Sequence, residues 1–295
     1  MHRRAVLRAA LLVPLAAACA APLAPAPTPP LPAPAPAGPA RLAELERRFD
    51  ARLGVYALHT GTGQELAHRP DERFALCSTF KTLAAAAVLD RHPPEYLNVR
   101  VRYRASDLVA NSPVTERHVG DGMTIRELCD AAIRYSDNTA GNLLLDDLGG
   151  PGEITSFVRS LGDEMTRLDR REPELNSAVP GDERDTTTAR AIAADYRTLV
   201  LSDRLDAADR TLLTEWLVGN TTGGTRIRAG LPPDWRVGDK TGAGSYGTVN
   251  DVAVAWPPDT APVVLAVLTS RAAADATGNN ALLAQAAAVV ADELG

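Results

Sequence analysis

The sequence is short of lysine. Its 295 residues include 31 basic side chains, yet only Lys81 and Lys240 are lysines. A surface cation can be Arg or Lys, but an amine that must give up a proton or act as a compact point charge has to be Lys. Those two positions are therefore the first candidates for chemistry. Cysteine is as scarce: Cys19, Cys77 and Cys129 are too few for a disulfide scaffold and lack metal-ligand spacing. The five histidines, His2, His59, His68, His92 and His118, stand in no nucleophile-elbow context, and no G-x-S-x-G occurs. A Ser-His-Asp arrangement is unsupported, so an activated serine would need a base other than His. Net charge is −6 with no basic block in the body, which argues against a general nucleic-acid partner.

What is present fits one large domain or two intimate lobes, since 45% of the residues are hydrophobic. Residues 1–19 read as an export signal. Arg3, Arg4 and Arg8 precede the apolar run Leu11 to Ala18, which is too short to span a membrane. The stretch from His2 to Arg8 resembles a twin-arginine export signal, with an ordinary Sec signal as the alternative. Cys19 follows three alanines and is a candidate for lipidation, although the Leu usual three residues earlier is missing. Export to the cell envelope or beyond is the expectation, and a lipid on Cys19 would be the only membrane attachment. Residues 20–38 are almost all Ala and Pro, an extended spacer with no core.

Beyond the spacer, Pro39 to Leu53 reads as an amphipathic helix with Leu42, Leu45 and Phe49 on one face. Val55 to Ala67 reads as a strand pair turning at Thr60-Gly61-Thr62-Gly63. Phe80 to Asp90 is an alanine-rich helix ending before His92-Pro93-Pro94, and mostly helical patterns continue to about Glu215. Strand character returns at Trp235 to Ala243, Val249 to Trp256 and Pro262 to Thr269, and Gly278 to Leu294 is a last helix. No internal repeat is found. The expected class is α+β: an antiparallel sheet built from both chain ends and flanked by helices, with an inserted all-helical lobe. The folded body is expected at 39–295, with the sheet lobe at 39–73 and 218–295 and the helical lobe at 74–217. A cleft between lobes is the natural place for a site.

Each lysine stands in a short motif. In Ser78-Thr79-Phe80-Lys81 a spacing of three puts Ser78 and Lys81 on one helical face, and Ser78 near a helix N-terminus meets free N–H groups and positive dipole. Lys240-Thr241-Gly242 lies on an expected strand, where Gly lets another backbone or a ligand come close. Between them, Ser136-Asp137-Asn138 offers a proton-shuttling hydroxyl and an amide. Each alone has a plain structural reading: chance for S-x-x-K, a helix cap for Ser136-Asp137-Asn138, a strand end for Lys240-Thr241-Gly242.

Together and in this order the three motifs resemble the signature of class A β-lactamases and penicillin-binding proteins. The resemblance runs from about Leu42 to the C-terminus and includes Ser112-Pro113-Val114-Thr115-Glu116. A fourth element, Arg170-Arg171-Glu172-Pro173-Glu174-Leu175-Asn176 continuing to Asp182-Glu183-Arg184-Asp185, is similar to the class A omega loop. The resemblance implies a serine hydrolase that opens the β-lactam ring of penicillin-type antibiotics and so confers resistance, working as a monomer with no cofactor and no metal. It implies Ser78 as nucleophile, Lys81 or Glu172 as acylation base, Ser136 as proton shuttle, and Glu172 with Asn176 holding the deacylating water. The same likeness gives Asn138, Lys240, Thr241, Gly242 and Ala243 to substrate binding, with the amides of Ser78 and Ala243 as oxyanion hole. It also implies a cis peptide before Pro173 and an Arg170–Asp185 ion pair.

The sequence departs from the common pattern in places. Val249 stands where many class A enzymes carry a carboxylate-binding Arg, and Arg226 matches the replacement Arg of some actinobacterial-type members. Asn111 matches the usual aromatic gate. Cys129 matches half of a disulfide found in some relatives, but Ala85 stands at its partner position, so no disulfide is expected. A D,D-peptidase shares the first three motifs but lacks the Glu172/Asn176 element. A β-lactam sensor that stays acylated would usually be fused to a membrane or signalling segment.

Overall fold

A computed structural model describes residues 37–295, which lie in one compact unit. The export signal, the Pro/Ala spacer up to residue 36 and Cys19 lie outside the described residues.

In chain order, helix α1 (Ala37–Phe49) leads into strands β1 (Arg52–His59), β2 (Glu65–His68) and β3 (Arg73–Ala75). A 3-10 turn at Cys77–Thr79 opens helix α2 (Phe80–Arg91). The inserted block follows: β4 (Arg100–Val101), β5 (Met123–Thr124), α3 (Ile125–Arg134), α4 (Asn138–Leu148), α5 (Pro151–Ser160), β6 (Thr186–Thr188), α6 (Ala189–Leu201) and α7 (Ala207–Val218). The chain closes with α8 (Ile227–Gly230), β7 (Arg236–Ala243), β8 (Val249–Trp256), β9 (Val263–Ser270) and α9 (Asn280–Leu294).

The main sheet has the order β2-β1-β9-β8-β7 and every pairing in it is antiparallel, so both chain ends build it, as expected. Strand alternation divides its side chains between two cores. Leu53, Val55, Ala57, Val263, Leu265 and Val267 join Leu42 of α1 and Leu282 and Leu283 of α9 on one face. Tyr56, Leu58, Val264, Ala266 and Leu268 face the other way, into the core shared with α2, α3, α4 and α6. With both faces covered, these strands read as continuous apolar runs rather than alternating ones.

Three expectations need correction. The first helix ends at Phe49, not Leu53. Asp50 takes a left-handed φ of 46° and breaks it, and Leu53 pairs with Thr269 in the sheet; helical periodicity continued through a segment that sheet pairing claims. The helical block also contains short strand pairs, β3 with β6 and β4 with β5, too brief to leave a period-2 pattern. And α6, assigned to the helical lobe, packs on β1, β8 and β9, because its buried face includes Ile192, Tyr196 and Leu199.

Candidate active site

The site forms where the Cys77–Thr79 turn meets the edge strand β7 and the 170–185 loop. Residue Cys77 adopts a φ of 46° and Ser136 a φ of 56°. L-residues held in the left-handed region carry strain that surrounding structure must stabilise. The turn is tied down on two sides: Leu76 N–H donates to Asp185 O at 2.8 Å, and Asn250 of β8 donates to Ala75 O at 2.7 Å. Gly242 is needed at the edge of β7. A Cβ there would lie 3.0 Å from Leu76 O and 3.3 Å from Ser78 N, so only glycine lets the strand come this close.

Ser78, Lys81 and Glu172 form one buried cluster. Lys81 Nζ donates to Ser78 Oγ at 2.9 Å, and Ser78 Oγ donates to Glu172 Oε1 at 3.0 Å. Glu172 Oε1 is also 3.0 Å from Lys81 Nζ, and both side chains are fully buried. Lys81 donates further to Ser136 O at 2.8 Å and Asn138 Oδ1 at 2.6 Å. Burial pushes the Lys81 amine below the ordinary lysine range, against the opposing pull of Glu172. Room for this side chain depends on Gly141 of α4, where a Cβ would come within 2.9 Å of Lys81 Cε.

The second lysine faces the same cleft. Lys240 Nζ donates to Ser136 Oγ at 2.9 Å and to Thr241 O at 2.8 Å. It is pushed well below the usual range by burial first and then by the Lys81 charge, with Asp239 and Asp251 opposing. Thr241 Oγ1 shares a 2.5 Å hydrogen bond with Thr222 Oγ1. Asn138 donates to Ala110 O at 2.9 Å. Asp137 caps α4 by accepting from Ala140 N and accepts also from Val114 N and Thr115 N. The capping reading of Ser136-Asp137-Asn138 thus holds for its middle residue, while its flanking residues meet the lysines.

The 170–185 loop carries Glu172 into place. Its ends are joined by Arg170 Nε on Asp185 Oδ2 at 2.6 Å, and the buried Asp185 also accepts from the backbone of Asp169 and Arg170. The Glu172–Pro173 peptide is cis. Asn176 donates its amide to Glu172 Oε2, while its Oδ1 is buried with no partner among the described residues. One positioning residue was missed in the sequence. Asn142, on α4 one turn beyond Asn138, accepts from Glu172 N at 2.9 Å and donates to Glu172 O at 2.9 Å. Its position four residues after Asn138 was the signal available, since that spacing puts it on the same helix face.

Arg226 is partly committed. It donates to the carbonyls of Gly242 and Asn250 at 2.7 Å each and to Asn280 Oδ1 at 3.0 Å. Its Nη1 and Nε are therefore engaged, and Nη2 is left for a ligand. Ala243 ends β7. Cys77 and Cys129 are both free and buried. Among the described residues no cluster of three His, Cys, Asp or Glu side chains could hold a metal ion.

The comparisons with known proteins agree with this geometry. The sequence profile of the β-lactamase enzyme family matches residues 39–294. A β-lactamase of Amycolatopsis lactamdurans is 60% identical over 251 residues, covering 85% of this chain and 83% of the relative. Among solved structures, the β-lactamase from Streptomyces albus G superposes with a TM-score of 0.87 at 53% identity, covering 88% of this chain and all of that one (100%). A variant of the last-common-ancestor class A β-lactamase of Gram-negative bacteria gives a TM-score of 0.83 at 57% identity, covering 85% of this chain and 96% of that one. With the family profile spanning the whole body and the fold matching class A structures throughout, this chain belongs to the β-lactamase enzyme family.

Proposed function

We propose that the chain hydrolyses the β-lactam amide of penicillins and related antibiotics through an acyl-enzyme on Ser78, conferring resistance on its host. The carrying observation is the Glu172 carboxylate, hydrogen-bonded to the Ser78 hydroxyl at 3.0 Å and flanked by Asn176. A serine ester is stable until a base activates water, and a carboxylate beside the nucleophile is that base.

Acylation has two proton acceptors within reach. Ser78 Oγ attacks the lactam carbonyl, and its proton passes to Lys81, whose burial favours the neutral amine, or to Glu172. The carbonyl oxygen collects charge against the amides of Ser78 and Ala243. The lactam C–N bond breaks and the nitrogen takes its proton from the Ser136 hydroxyl, which accepts a hydrogen bond from Lys240 Nζ, and the proton given up by Ser78 makes good that loss. Lys240, Thr241 and Arg226 Nη2 hold the substrate carboxylate, and Asn138 the side-chain amide. In deacylation, Glu172 takes a proton from water whose other hydrogen is accepted by Asn176 Oδ1, the buried oxygen that lacks a partner. Hydroxide adds to the ester carbonyl, the bond from that carbon to Ser78 Oγ breaks, and the proton held by Glu172 passes to Ser78 Oγ, its hydrogen-bond partner.

The test is Glu172→Ala with benzylpenicillin. Removing a positioned general base slows the step by about 10²–10⁴-fold, so intact-mass spectrometry should show one whole antibiotic retained, on Ser78. Turnover at the wild-type rate would sink the assignment. A long-lived adduct on the wild-type protein would make it a penicillin-binding enzyme or sensor instead. Export by the twin-arginine route belongs to the same proposal; replacing Arg3 and Arg4 by Lys should trap the precursor, and unchanged secretion would favour Sec.

A further inference from the structure

One cavity lies apart from the catalytic cleft. A cavity of about 820 Å³ lies behind the 170–185 loop, bounded by residues 178–184 of that loop, by β3 and by the ends of β1 and β9. None of the residues given a catalytic or substrate-binding role lines it. We propose that this cavity is a second binding site, for a small organic anion with a flat apolar body.

Charge and shape both point to that chemistry. The wall holds seven arginines and five carboxylates, and Glu44 and Asp185 just outside it pair with Arg47 and Arg170, so the cationic character is local to individual side chains. Most of these arginines are matched to carboxylates, but two are not. Arg73 donates only to Met165 O and Thr186 Oγ1, and Arg271 only to Phe49 O; neither has an ion-pair partner among the described residues. A guanidinium fork with free N–H groups in a partly enclosed space is suited to a carboxylate or phosphate. The rest of the wall supplies an apolar surface through Ala51, Val179 and Pro180, with the Arg52 guanidinium lying over the buried Phe74 ring. Val179 is 45% exposed, so its side chain stands at the rim rather than in the core. A volume of this size suits a small molecule.

Titration of the full mature protein with 2-naphthoate, followed by calorimetry, tests the proposal. Saturable binding is expected, at least about tenfold weaker in Arg271→Glu and in Val179→Asp. The second variant changes an exposed side chain, so it keeps the experiment informative should Arg271→Glu fail to fold. Lys240→Ala, which removes the cleft's cation, should leave naphthoate binding unchanged. The uncharged 2-naphthalenemethanol should bind at least about tenfold more weakly than naphthoate. No saturation up to about 10 mM, binding unaffected by both cavity variants, loss in Lys240→Ala, or equal binding of the alcohol would each overturn the assignment.

Discussion

Asn142 offers the sharpest test of how this site is built, because its side chain hydrogen-bonds only to the backbone of the residue it serves. Its amide forms two 2.9 Å hydrogen bonds with the backbone N–H and C=O of Glu172. Asn142→Ala leaves both groups unpaired beside a buried side chain. Each unmade partner costs about 1–3 kcal/mol, and water entering the vacated space recovers part of that. A loss of roughly 2–4 kcal/mol in folding stability is therefore expected, a sizeable fraction of the ~5–15 kcal/mol typical of a domain. The catalytic effect should be more selective. Freed from α4, the Glu172 carboxylate loses its placement against Ser78, and a shift of about 1 Å costs on the order of 10²-fold in rate. Acylation keeps Lys81, 2.9 Å from Ser78 Oγ, as an alternative base, whereas deacylation has none. Stopped-flow kinetics with a penicillin, run well below the variant's melting temperature, should show a burst close to wild type followed by turnover about 10²-fold slower, with KM falling alongside kcat. A folded Asn142→Ala protein turning over within about twofold of wild type would refute the reasoning, as would equal slowing of both steps.

Other expectations follow from single side chains. Arg226→Ala should cost about 1.5–3 kcal/mol in transition-state binding of penicillins; an unchanged kcat/KM would leave Lys240 and Thr241 as sufficient carboxylate ligands. Cys77 and Cys129 should both react with a thiol reagent in denatured, unreduced mature protein and resist it when native, since both are buried and burial pushes both thiols up; a missing pair after denaturation would mean a disulfide. Asp195 is buried facing Asp163, each has an oxygen lacking a donor, and burial raises the Asp195 carboxyl well above its ordinary range. Because the folded state holds that proton more tightly, its stabilising contribution is full below the unfolded pKa of about 3.9 and is lost as pH rises through the raised folded value. Asp195→Asn should therefore melt higher than wild type at pH 8, with the gap closing toward pH 4; a gap that is constant with pH would refute the shared-proton arrangement.

The sequence alone determined the sheet strands, the two lysine motifs, the Ser136-Asp137-Asn138 turn and the loop from Arg170 to Asp185. These are local facts: apolar runs bounded by turns, and residue types that chemistry requires at short spacings. Even the scarcity of lysine directed attention to Lys81 and Lys240 before any contact was known. Tertiary structure decided what those residues face. Ser78 and Glu172 stand 94 residues apart in the chain yet share a hydrogen bond, which exists because the Arg170–Asp185 pair and Asn142 hold the loop across the cleft. The spacing from Asn138 marked the helix face of Asn142 but not its partner, because an asparagine on a helix looks the same whether it meets solvent or a buried peptide. The engagement of Arg226 with two strand carbonyls and the packing of α6 on the sheet were equally hidden. Each depends on elements distant in sequence, brought together by burying the two faces of one sheet, and no local pattern records which partner such burial selects.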